Sequence, residues 1–276
     1  MPEASERVDV APASAIETSL LTRRFGSLTA VDALSLAIGN GAIFGLLGTN
    51  GAGKTTVIKM LTTLLMPTSG TASVVGYDIV RESSSVRRNI GYVSQMLSAD
   101  GELTGYENLA ISAKLYGIPR SETAKRISQA LEFMELDNAA DRLVSRYSGG
   151  MIRRLEIAQS MLHRPRVLFL DEPTVGLDPL ARHAVWERIR DLRREFGTTI
   201  LMTTHDMEEA DQLCDTVALM TLSRLVALGR PAELKTALGS DATLDDVFIH
   251  YTGRSTTERG DYKDAARTRR TAHRLE

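Results

Sequence analysis

A short apolar run, IFGLL at residues 43–47, passes directly into GTNGAGKT at 48–55, and apolar residues at helical spacing follow. This junction constrains the fold more than any other stretch. An unbroken run of this length reads as a strand buried on both faces. The eight residues after it match G-x-x-x-x-G-K-[ST], between the strand and the helix that the pattern requires. Its glycines let the backbone curl until successive N–H groups aim at one anion, and the helix N-terminus adds positive potential there. Phosphate binding is therefore expected over Gly48, Asn50, Gly51, Ala52, Gly53, Lys54, Thr55 and Thr56. Lys54 would reach the β- and γ-phosphates of a nucleotide, and the Thr55 hydroxyl would ligate Mg²⁺.

Around this junction strands and helices alternate. Residues 31–38, 71–76 and 89–95 read as strands, and a helix from Gly53 would bury Val57, Ile58, Leu61, Leu64 and Leu65. The block 104–163 is mainly helical, broken by YGIP and by SGG. RVLFLDEP at 166–173 returns to a buried strand, and the helix after it can align Leu180, Ala184, Ile189 and Leu192. TTILMTTH at 198–205 reads as another buried strand, and 216–222 with 224–230 as a strand pair. The expected class is α/β: a P-loop NTPase core of mostly parallel sheet with flanking helices, an antiparallel β part and an inserted helical subdomain. That insertion would span about 96–163.

The rest of the chain bounds the setting. Residues 1–15 are small, polar and proline-bearing, which predicts disorder, and 254–276 form a charged tail read as solvated, leaving 16–253 as the domain. A formal net charge of -2 favours neither nucleic acid nor an anionic membrane, so no nucleic-acid partner is expected. Cys214 is the only cysteine, which precludes an intrachain disulfide and fits a reducing compartment. The start of the chain lacks the basic and apolar segments of a secretory signal, and no apolar run approaches the roughly 18 residues of a membrane span. If the protein works at a membrane, another chain is expected to supply the spanning part.

Two further stretches carry chemistry. RVLFLDEP ends in Asp171, suited to hold Mg²⁺ through water, and Glu172, suited to polarise the water that attacks a γ-phosphate. Ser148, Gly149 and Gly150 open a second helix with free N–H groups, a second place for a phosphate.

From about residue 20 to 253 the chain resembles the ATP-binding subunits of ABC transporters, with the motifs in the family's order. YSGGM at 147–151 is similar to the ABC signature. YVSQ places Gln95 in the Q-loop, GLDP places Asp178 in the D-loop, and MTTH places His205 as the switch histidine. Phe25 in RRFG stands where the family stacks an aromatic ring on adenine. Taken singly, Gln95 is an edge residue, Asp178 a helix cap, His205 a helix-start histidine and Phe25 core; their joint order outweighs those readings.

The resemblance implies ATP and Mg²⁺ as cofactors, with Thr55, Gln95 and Asp171 at the metal and Glu172, His205, Lys54 and Gln95 in catalysis. It implies a nucleotide-dependent homodimer, head to tail, in which one copy's Ser148, Gly149 and Gly150 cover the ATP on the other's phosphate loop and Asp178 crosses to its neighbour. It implies an integral-membrane permease, whose cytoplasmic loop would enter a groove between Gln95 and Tyr106, and hence a peripheral place on the cytoplasmic face of the cell membrane. Residues 149–179 and the end TLDDVFIHYTGR look most like drug-export subunits of the daunorubicin-resistance type, so a lipophilic drug or antibiotic is the expected cargo, with lipid or polysaccharide export behind it. Thr49 stands where the family usually has Pro, Tyr147 where it has Leu, Met151 and Ile152 where it has Gln and a polar residue, and Phe25 where it has Tyr. None removes a group assigned to chemistry.

Two alternatives oppose transport. A soluble ABC-type ATPase acting on ribosome or DNA is disfavoured by one motif set, one cysteine and the small net charge. A non-hydrolysing regulatory module is disfavoured by Glu172.

Overall fold

The computed structural model describes residues 14–253; the expectations for 1–13 and 254–276 lie outside the described residues. Strands β1 (Ser14–Phe25) and β2 (Leu28–Gly39) pair antiparallel, and with β4 (Ser69–Val74) and β5 (Tyr77–Asp78) they form a sheet in the order β2-β1-β4-β5. The second sheet holds β3 (Ile43–Gly48), β6 (Ile90–Val93), β7 (Val167–Asp171), β8 (Thr199–Thr204), β9 (Thr216–Thr221) and β10 (Arg224–Gly229). Its order is β10-β9-β3-β8-β7-β6, parallel throughout except for the terminal β10–β9 pair.

Helices cover both faces of this sheet. Helix α1 (Lys54–Leu61) follows β3, and α2 (Ser83–Asn89) precedes β6. Helices α3 (Gly105–Leu115), α4 (Arg120–Phe133) and α5 (Gly149–Met161) make up the inserted block, broken where YGIP and SGG predict. Then come α6 (Pro179–Phe196), α7 (Met207–Leu213), α8 (Pro231–Thr236) and α9 (Leu244–Thr252).

Alternation within β3 explains the two cores. Ile43 and Leu47 face the helices α3 to α7 and α9, joining Leu168, Leu170, Trp186 and Phe248. Phe44 and Leu46 face the antiparallel sheet and α1, joining Ile16, Leu34, Val57 and Phe169. Each such buried side chain contributes about 1.5–3 kcal/mol. Because α5 and α6 share the first core, the inserted block packs directly against the nucleotide-binding sheet.

Three expectations need correction, and one strand had gone unread. Ser14 and Ala15 belong to β1 and not to a disordered leader. Strand β1 escapes a reading by alternation because it bulges: Leu20 has φ 49° and the register shifts on both sides of it. Helix α1 stops at Leu61 and Thr63 turns to φ 64°, so Leu64 leaves the buried stripe and is 62 % exposed. In α6 the buried stripe is Val185, Trp186, Ile189 and Leu192, whereas Leu180, in the first turn, is 85 % exposed.

Candidate functional site

The parallel strands β3, β8, β7 and β6 are neighbours and end at one edge, so residues just past their carboxyl ends converge there. Those residues are the phosphate loop, His205, Asp171 with Glu172, and Gln95. Gly53, at φ 103°, opens α1; a Cβ on it would lie 2.2 Å from the Ala30 carbonyl oxygen, so only glycine fits between loop and β2. No side chain caps this helix start, which leaves the N–H groups of Lys54, Thr55 and Thr56 for an anion. Asn50 and Gly51 are exposed on the loop, Ala52 is buried beneath it, and a Cβ on Gly48 would meet the Met220 carbonyl oxygen at 2.4 Å.

Lys54 is buried and turned inward. Its Nζ donates to the carbonyl oxygens of Gly48 at 2.7 Å and Thr49 at 3.3 Å, and lies 3.4 Å from Glu172 Oε1. Burial pulls its ammonium below the ordinary lysine value, and the carboxylates of Glu172 and Asp171 restrain the fall. Asp171 Oδ1 accepts from the hydroxyls of Thr203 at 2.6 Å and Thr55 at 3.2 Å.

Glu172 sits at the centre. Its Oε2 accepts from Gln95 Nε2 at 3.1 Å and lies 3.4 Å from His205 Nδ1. Its backbone occupies the left-handed region at φ 50°, held there by N–H donation to Thr203 Oγ1 at 3.0 Å. Such a conformation costs a side-chain-bearing residue about 1–2 kcal/mol and persists only where the surroundings impose it. Burial pushes its carboxyl up, but the His205 hydrogen bond and the Lys54 charge outweigh it and hold the carboxyl below its ordinary value. His205 is raised in turn, chiefly by its hydrogen bond to Glu172. Thr203 ties the acid pair together, accepting from one backbone and donating to the other's carboxylate; lying inside a strand, it gave no sign in sequence beyond its place in MTTH.

Other predicted residues lie elsewhere. Phe25 pairs with Leu28 at the tip of the β1–β2 hairpin, half-exposed, with the Arg23 guanidinium 4.4 Å from its ring centre. Ser148 caps α5, accepting from Met151 N–H at 3.3 Å, and Asp178 caps α6, accepting from Ala181 N–H at 2.9 Å. A Cβ on Gly149 would lie 3.2 Å from Leu177, and one on Gly150 2.8 Å from Ala181. The signature turn and the D-loop therefore meet each other at the α5–α6 junction, and these partners of theirs lie outside the phosphate loop. Tyr147 anchors that turn: its hydroxyl donates to the Ala139 carbonyl at 2.7 Å and its ring carries Arg142 at 5.1 Å.

A phosphate loop and a strand-end acid pair on one sheet edge make a nucleoside-triphosphatase site. Residues 31–175 match the family model "ABC transporter". The chain is 46 % identical to the daunorubicin/doxorubicin resistance ATP-binding protein DrrA of Streptomyces peucetius, over 83 % of this chain and 69 % of that one. It is also 46 % identical to the Nod factor export ATP-binding protein I of Ralstonia nicotianae, over 78 % and 67 %. Among solved structures, an ATP-binding subunit of an ABC transporter superposes with TM-score 0.76 at 28 % identity, covering 86 % of this chain and 99 % of that one. CbiO1 from Clostridium perfringens, part of the ABC transporter complex CbiONQ, gives 0.74 at 27 % identity over 81 % and 91 %. The chain belongs to the ABC transporter family, as an ATP-binding subunit that hydrolyses ATP.

Proposed function

We propose that this subunit works as half of a head-to-tail pair that closes on two ATP molecules and, through a membrane permease, drives export of a lipophilic substrate. The observation that carries the pairing is the separation within one chain: the phosphate loop lies at the strand ends, while Ser148, Gly149 and Gly150 open a helix at the α5–α6 junction, with Ser148 and Gly149 exposed. Two complementary anion-binding helix starts on one protomer are both used when a second copy supplies the missing half of each site.

On ATP arrival Lys54 exchanges the Gly48 and Thr49 carbonyls for β- and γ-phosphate oxygens, a stronger, charge-assisted pairing. Phe25 offers its ring to the adenine and Asp178 reaches across the interface. The oxygens of Thr55 and Asp171, 3.2 Å between donor and acceptor, with the Gln95 amide nearby, fit a hard cation that takes few protein ligands and keeps the rest from phosphate and water. Mg²⁺ bound there would neutralise charge on the phosphates. Glu172, held ionised by His205 and Lys54, then takes the proton of the attacking water, and His205 donates toward the γ-phosphate. Loss of that phosphate removes the bridge between the copies, and the pair opens.

The outer surface supports a permease contact. Met96 and Leu97, directly after Gln95 in the chain, are exposed, as are Tyr106, Ile111 and Leu115 along α3. Exposed apolar side chains directly after Gln95 and on α3 suit a cytoplasmic loop of a membrane protein. No helix among the described residues is long and apolar enough to cross a membrane, so the permease would hold the subunit peripherally on the cytoplasmic face. The daunorubicin-resistance and Nod factor relatives favour a lipophilic or amphiphilic cargo.

Glu172→Gln removes the base but keeps the hydrogen-bonding shape. Turnover should fall by about a thousandfold or more, while light scattering should show a dimer at saturating ATP. A variant that stays monomeric in ATP would contradict the paired mechanism.

A further inference from the structure

The signature helix carries a buried ion pair that none of the expected motifs uses. Arg153 and Glu156 lie one turn apart on α5, their side chains only 2 % and 3 % exposed, with Arg153 Nη1 3.0 Å from Glu156 Oε2. Both groups also reach beyond their own helix. The Arg153 guanidinium donates to two successive carbonyls beyond β6, Ser94 at 2.7 Å and Gln95 at 3.0 Å. Glu156 Oε1 accepts from the Ser98 hydroxyl at 3.1 Å and from the Ser98 N–H.

The segment 94–98 is thereby gripped at both ends by α5. Between the grips stand Met96 and Leu97, both exposed, and at its start stands Gln95, whose side chain reaches Glu172. Arg153 is five residues from Ser148, little more than one helical turn. We propose that the Arg153–Glu156 pair is a positioning clamp that makes the signature turn and the 94–98 loop one mechanical unit. Displacement of α5 by a nucleotide at Ser148 must then carry Gln95 relative to Glu172, and displacement of Met96 and Leu97 by a partner must carry the signature turn. A charged pair suits this task because its fixed guanidinium fork sets direction, and because a buried charge left without its partners is too costly for the loop to slide free.

The inference rests on ATP hydrolysis at the site described above, and wild-type turnover is the reference; its absence would overturn the catalytic reading and the clamp with it. With wild type active, Arg153→Met should leave the KM for ATP within about twofold while kcat falls about ten- to a hundredfold, the scale of a misplaced catalytic group. Arg153→Lys, which keeps the charge and one carbonyl bond, should recover most of that loss. Glu156→Gln should behave as Arg153→Met does, less severely. An unchanged kcat in folded Arg153→Met, or KM and kcat worsening together with no rescue by Lys, would overturn the clamp. Should Arg153→Met fail to fold, the kcat-against-KM split in Arg153→Lys and Glu156→Gln decides by the same criteria.

Discussion

Glu172 shows how a single residue joins strain, charge and chemistry. Thr203 fixes its backbone at φ 50°, and the side chain is thereby delivered to Gln95, Lys54 and His205. The pairing makes a pH window. His205 is raised above its ordinary 6.5, so the stability it draws from Glu172 is complete below 6.5 and lost as pH rises through the folded value. Glu172 is lowered below its ordinary 4.5, so its share is present above 4.5 and lost as pH falls through the folded value. The pair is whole between about 4.5 and 6.5 and weakens on either side. An NMR titration of the His205 ring should give a midpoint above 6.5 that drops in Glu172→Gln. A wild-type midpoint at or below 6.5 would contradict the pairing. Residue identity at this site was legible because the spacing of a phosphate loop and a strand-end acid pair is specific. Thr203 was not, since a threonine in a strand has many uses.

At the scale of elements, the α5–α6 junction explains the second of the two glycines after Ser148. A methyl on Gly150 would sit 2.8 Å from the Ala181 Cβ and 3.5 Å from its Cα. Gly149 would only press on the flexible tip of Leu177 at 3.2 Å. Gly150→Ala should therefore cost about 1–3 kcal/mol of stability by denaturant unfolding, and Gly149→Ala less. Equal costs would argue against this packing account. The buried strands β3, β7 and β8 were legible from apolar pattern, as was the presence of α6, though only Ile189 and Leu192 of its predicted face belong to the buried stripe. Strand β1 was hidden by its bulge, α2 by burying only Val86, and the stripe of α1 was drawn too long because Thr63 ends it. Tyr147, a departure from the family's usual Leu, turned out to have a partner of its own in the Ala139 carbonyl.

For the whole molecule, sheet order does what no local pattern can. Stretches far apart in sequence, from Gln95 to His205, reach one edge because β3, β8, β7 and β6 are parallel neighbours, and that order is a property of packing, invisible to periodicity. The same layout sets the start of α5 against Leu177 and Ala181, and the proposed pairing builds on that: one copy's loop and another's signature turn would share each ATP. A double variant, Asn50→Cys with Ser148→Cys, tests this directly, since Cys214, the native thiol, is buried. Under mild oxidation in ATP, the chain should run as a disulfide-linked dimer on a non-reducing gel, and in ADP as a monomer. Monomer in both nucleotides, or dimer in equal amount without any nucleotide, would contradict the claim.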